Sequence, residues 1–146
     1  MNALPQDCDG LLIQNILEDI RQLSALGSRI EAVSRRFLGT PYCDDPLIGS
    51  KSNREVFTAS FRSFDCVTYV ESVLALAWAF NERTFIEKLR QIRYEAGVVD
   101  WQHRNHYMTT WIKNNVKQGL MHNRTDDFDS VSRSRFLNVV DGISPK

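Results

Sequence analysis

The sequence predicts an α+β fold, mostly helical with a small antiparallel sheet. Apolar residues return at three- and four-residue spacing in several separate stretches, whereas one stretch, Glu55 to Phe64, alternates instead. A length of 146 residues with 42% hydrophobic content suffices for one compact domain and falls short of two ordinary ones. A single domain over residues 1–146 is therefore expected.

Leu11, Leu12, Ile16, Ile20, Leu23 and Leu26 keep the helical period and predict a helix over 11–26, stopped by Gly27. Ser28 is placed to cap a second helix, which Ile30, Val33 and Phe37 carry to Gly39. Thr40-Pro41-Tyr42 forbids further helix and opens an irregular loop through Gly49. In EVFTASFRSF, Val56, Thr58, Ser60 and Arg62 share one face and Phe57, Ala59, Phe61 and Ser63 the other, which predicts a strand. Asp65 follows as an N-cap able to accept the N–H of Val67 or Thr68, and Cys66 begins an apolar helix. In that helix Cys66, Val70, Val73 and Ala77 form one stripe, so the thiol is expected to face inward.

Thr84, Phe85, Leu89 and Ile92 predict the next helix, ending near Gly97. Val98 to Trp101 reads as a short strand, and Met108 to Gln118 as a helix with Trp111, Ile112 and Val116 apolar and Gly119 as its stop. Leu120 to Thr125 and Phe136 to Val140 each read as a strand, separated by a polar stretch over 126–135.

Eighteen Lys and Arg balance eighteen Asp and Glu, so no global field favours nucleic acid or an anionic membrane. The longest apolar run, Val73 to Phe80, is far too short to span a bilayer. Cys8, Cys43 and Cys66 are odd in number and match no disulfide framework, which points to a reduced compartment. MNALPQDCDG lacks the basic start and apolar run of a secretory signal. As written the chain reads as cytoplasmic, or as periplasmic if its amino terminus is incomplete.

A thiol in the first turn of a helix meets free N–H groups and a partial positive charge that favour its thiolate, which makes Cys66 the candidate nucleophile. Such a nucleophile needs an imidazole to hold the thiolate and protonate the leaving amine. Of His103, His106 and His122, His106 is the best candidate, because it lies in the polar and aromatic cluster Trp101–Tyr107 directly before a helix. Taken singly, Cys66 also fits a small buried hydrophobe, His106 a structural histidine pinning a turn, and Trp101, Tyr107 and Trp111 a core group rather than a sugar platform. His103 and His106 with Cys43 or Cys66 lack the close spacing of zinc ligands, so no metal and no cofactor are expected.

Five stretches, in order, resemble a known family: FLGTPY from Phe37, LIG from Leu47, FDCVTYVESVLAL from Phe64, IRYEAGVVD from Ile92 and RNHYMTTWIKNN from Arg104. They span most of 37–119 and resemble the N-acetylmuramoyl-L-alanine amidase-like family, a branch of the NlpC group of papain-like cysteine hydrolases that cut bacterial cell-wall peptides. The resemblance implies the amino-terminal part of a papain-like domain. It further implies that Cys66 attacks the amide joining muramic acid to L-alanine, and that Arg104, Asn105, His106 and Tyr107 lie near the site. Asp65 would serve the oxyanion end or helix cap, and Tyr42 and Trp111 would join the substrate cleft. That group usually carries its catalytic histidine on a later strand within a Ser-His-Val-Gly-like segment, which this chain does not contain. The expectation is a muropeptide or peptide-like small substrate, with the alternative of a catalytically incomplete half-domain that binds cell-wall peptide or a partner chain completing the sheet.

Overall fold

The computed structural model describes residues 5–129, 131 and 133. Among them, five α-helices carry the fold: α1 (Gly10–Asp19), α2 (Leu26–Arg36), α3 (Cys66–Trp78), α4 (Glu82–Arg93) and α5 (Met108–Lys117).

The Asp9 carboxylate starts α1 by accepting the Leu12 N–H at 2.9 Å, and Ile13 and Ile16 turn inward from the helix. The predicted helix over 11–26 is in fact two elements. Ile20 ends α1, and the chain turns there with the Leu23 N–H on the Ile20 carbonyl at 3.0 Å, so Leu23 reaches the core from a turn. Gly27 has no left-handed backbone and lies inside α2, while Ser28 caps nothing, because the N-cap is Ala25 without a side-chain bond. Arg35 and Arg36 occupy the last turn of α2, where the helix dipole favours cations.

At the centre, α3 packs on α1, α2 and α4. Its Ala75, Leu76 and Ala77 are buried, and the small alanines let neighbouring backbones come close. From α2, Arg29 donates to the Ala77 and Ala79 carbonyls, both at 2.6 Å, satisfying acceptors that the helix end leaves open. Asn81 caps α4 through a reciprocal pair with Thr84, and Phe85, Leu89 and Ile92 turn into the core. After α4 the chain reverses, and Gly119, with φ of 70°, takes the left-handed conformation that follows α5.

The expected sheet is absent among the described residues. Glu55 to Phe64 is extended but meets its neighbours one bridge at a time: Val56 pairs antiparallel with Ile48, Thr58 parallel with Gln6, and Phe64 parallel with Tyr42. Side chains take over where a second strand would pair, since the Thr58 carbonyl accepts from Arg93 at 2.7 Å. Its aromatic residues pack on helices, with Phe61 5.4 Å from Phe37 and 5.7 Å from Phe85 between ring centres. Val98 to Trp101 is likewise no strand. Both valines are exposed, and Trp101–His103 forms a single 3-10 turn. Leu120 to Thr125 leads into the 3-10 turn Arg124–Asp127, and Phe136 to Val140 lies outside the described residues. No helix among the described residues is long and apolar enough to cross a membrane.

Candidate active site

Cys66 is the first residue of α3, and its side chain is exposed rather than inward-facing. Helix geometry explains the correction. Thr68, Glu71, Ser72, Ala75 and Leu76 define the buried face at three- and four-residue spacing, and a residue two places before Thr68 lies about 200° around the axis. Val73 and Ala77 are nevertheless buried because the later part of α3 is covered on more sides, whereas Val70 is 41% exposed.

The head of α3 is rigidly built. Asp65 accepts the Thr68 N–H at 2.6 Å and the Thr68 hydroxyl at 2.7 Å, and the Thr68 oxygen accepts the Asp65 N–H at 3.1 Å. The Asp65 carboxylate thus acts on the helix and not as an oxyanion donor, since an ionised carboxylate only accepts. The Tyr69 N–H goes to the Asp65 carbonyl at 3.1 Å, while the N–H groups of Cys66 and Val67 have no hydrogen bond among the described residues. Two free donors therefore sit beside the thiol, the arrangement that can stabilise a developing oxyanion. Tyr42 is held nearby by backbone bonds to Phe64, from the Cys43 N–H at 2.9 Å and to the Pro41 carbonyl at 3.1 Å, and its ring is exposed.

The other candidates are distributed differently. His106 is exposed, with Nε2 on the Trp101 carbonyl at 2.6 Å and its ring centre 4.5 Å from that of Trp101. Because a carbonyl only accepts, Nε2 carries the proton and Nδ1 is the open position. No hydrogen bond joins His106 to Cys66, so the structure does not assemble the pair. Trp111 is buried with its indole N–H on Glu71 at 3.0 Å, which removes it from a substrate surface. Asn105 donates to the Ile92 carbonyl at 3.2 Å and accepts from Asn114 at 2.6 Å, bracing α4 against α5. Arg104 is half-buried on Glu55, and Tyr107, the N-cap residue of α5, is exposed. No cluster of three or more metal-ligating side chains occurs among the described residues.

Sequence reasoning missed two buried polar groups behind this surface. Arg93 meets Glu71 at 2.7 Å with both side chains 3% exposed, tying α4 to α3, and burial pushes the Glu71 carboxyl up against the opposing pull of Arg93. In the second group the Glu55 carboxylate accepts from Tyr94 at 2.8 Å and Arg104 at 3.2 Å. Burial pushes the Tyr94 hydroxyl up as well. The available signal was a glutamate inside the otherwise apolar run of α3, which needs a buried cation as partner.

With this geometry in view, comparison with known proteins is informative. A protein of Legionella pneumophila of solved structure matches with 31% identity and a TM-score of 0.68, over 75% of this chain and 38% of its own. A Bacteroides fragilis protein described provisionally as a xylanase matches with 32% identity and a TM-score of 0.61, over 66% of this chain and 44% of its own. An N-acetylmuramoyl-L-alanine amidase from Bacteroides uniformis matches with 30% identity and a TM-score of 0.59, over 64% of this chain and 41% of its own. The chain thus spans about two fifths of the length of these proteins. No curated protein matches it. The family model for N-acetylmuramoyl-L-alanine amidase-like proteins matches residues 32–140, three quarters of the sequence and both sides of the Cys66 helix. The chain belongs to the N-acetylmuramoyl-L-alanine amidase-like family.

Proposed function

We propose that the chain is a cysteine-dependent amidase of papain-like, NlpC type. It would act on the amide between an N-acetylmuramoyl group and L-alanine, or on a related muramyl-peptide amide. The observation that carries the proposal is the exposed Cys66 thiol on the capped first turn of α3, beside the free N–H groups of Cys66 and Val67. In the first step the Cys66 sulfur attacks the amide carbonyl carbon, and the carbonyl oxygen takes up negative charge opposite those N–H groups. The C–N bond then breaks, a protonated imidazole gives its proton to the departing amine, and a thioester remains on Cys66. Water attacks the thioester, the imidazole takes its proton, and the thiolate is released with the acid.

His106 is the imidazole of this reading, acting through Nδ1 while Nε2 stays on the Trp101 carbonyl. Incubation with muropeptides and mass spectrometry of the products tests the proposal. Cleavage by the chain, its loss in Cys66→Ser and a loss of at least about a hundredfold in His106→Ala are expected. No cleavage, or equal cleavage by Cys66→Ser, rejects it.

A second reading is favoured by the missing Cys66–His106 contact, since His106 is bound to the Trp101 carbonyl instead. Here the chain is a catalytically incomplete half-domain that binds cell-wall peptide or a partner chain. Alkylation of Cys66 by iodoacetamide across pH 6 to 9 separates the two. A rate like that of an unactivated thiol supports the half-domain, and a fast reaction at low pH supports the self-sufficient enzyme.

A further inference from the structure

The far end of α3 carries a surface that the proposed chemistry does not use. Phe80 is 83% exposed in the short link between α3 and α4, and it stands between two clefts of about 690 and 390 Å³, lining both. Cys66 lines neither cleft, and the rise of a helix puts it about 18 Å from Trp78. We propose that this face docks a second copy of the chain about a two-fold axis, each Phe80 entering the smaller cleft of the other copy.

Phe80 is fixed in place without serving the core. Its N–H donates to the Thr84 hydroxyl at 2.9 Å, and the Arg29 guanidinium stands 5.7 Å from its ring centre. Arg29 is itself locked on the Ala77 and Ala79 carbonyls, both at 2.6 Å. The exposure of Phe80 is the value with Arg29 beside it, so the guanidinium leaves the ring open. Trp78 and Leu23 on the same face pack against the core cluster, and Phe80 does not. An open aromatic ring on a rigid backbone, with an arginine next to it, has the composition of an interface hot spot and loses little entropy on binding.

The face is complementary to itself, and that selects the occupant. A two-fold contact presents one patch to the same patch, so the patch must carry both projection and recess, and both signs of charge. Phe80 is the projection. The smaller cleft, walled by Leu23, Leu26, Ala77 and Trp78, is an apolar recess suited to receive it. Next to it the larger cleft carries Glu18 and Glu82 together with Arg21, Arg29 and Arg83. A partner with a single sign of charge would meet its like here, whereas a second copy rotated by half a turn can set carboxylates against guanidinium groups. Eighteen basic and eighteen acidic residues leave the chain without net charge, so no long-range repulsion keeps two copies apart.

Sedimentation velocity of the full chain, from about 5 to 500 µM, is the test, and a monomer–dimer equilibrium with a Kd on the order of 50 µM is expected. Phe80→Asp, which brings a carboxylate into the recess of each copy, should stay monomeric throughout, and Phe80→Leu should associate about tenfold more weakly. Leu26→Asp should also abolish association, and a carboxylate suits that position because it lies in the first turn of α2. Circular dichroism checks that each variant is folded, and should Phe80→Asp not fold, Leu26→Asp decides the matter. Cys66→Ser should dimerise as the wild type does, so a failure of amide cleavage and a failure of this proposal remain distinguishable. A monomer at the highest concentration, or a dimer that persists in a folded Phe80→Asp or Leu26→Asp variant, overturns it.

Discussion

Cys66 and Cys8 carry the same side chain into opposite surroundings. Cys66 stands exposed at a helix head, whereas burial, followed by the nearby Glu82 and Asp9 carboxylates, pushes the Cys8 thiol from 9.0 up to about 11. At pH 8 only about one Cys8 in a thousand is then ionised, so iodoacetamide should modify Cys66 well before Cys8. Peptide mapping by mass spectrometry after short labelling reads the order directly, and preferential labelling of Cys8 would contradict this account. A linkage consequence follows, with its sign set by the raised value. The unfolded thiol ionises first, so stability present below pH 9 declines as pH rises toward 11. The linkage maximum of about 2.7 kcal/mol is discounted to about 1 kcal/mol because the thiol is only partly buried. Cys8→Ala should flatten that part of the pH–stability curve. Sequence alone identified Cys66 as the thiol worth watching but turned it inward, because the stripe with Val73 and Ala77 does not reveal where α3 stops being covered.

Helices were legible as elements because their signals are local. The apolar period of α4 and α5 and the Asp65 cap all lie within a few residues of what they specify. The Asp65–Thr68 pair gives a test of that locality. Asp65→Ala removes the acceptor of the Thr68 N–H and should cost about 1 kcal/mol, while Asp65→Asn keeps an acceptor and should cost less. Thermal unfolding should show the alanine variant lowered by about 3 °C, and an unchanged Tm would mean that the cap does not hold the head of α3. Extended segments were less legible, for a physical reason. Alternation over 55–64 reports half-burial on two faces, but pairing depends on residues far away in sequence, and Gln6, Tyr42 and Ile48 each supply only one bridge. The break between α1 and α2 was hidden because Leu23 keeps the helical period while reaching the core from a turn.

At the scale of the molecule, the candidate site stands on a buried polar frame that no local pattern announces. Arg93 joins Glu71 of α3 to the Thr58 carbonyl of the extended segment, and Trp111 of α5 closes the group on the second Glu71 oxygen. Three helices and the extended segment before Cys66 therefore share one ion pair. Desolvation makes such a pair costly to form and more costly to break, since removing one partner leaves a buried charge alone. Glu71→Met and Arg93→Met should each lose about 3 to 5 kcal/mol, a large part of the stability of a domain this size. The double variant removes both charges but leaves the Trp111 N–H and the Thr58 carbonyl without these partners, so it should remain destabilised yet lose at least about 2 kcal/mol less than the sum of the single losses. Urea midpoints of the four proteins, followed by tryptophan fluorescence, close the cycle. Additive losses would mean that the pair is incidental, and the head of α3 would then owe its position to apolar packing alone.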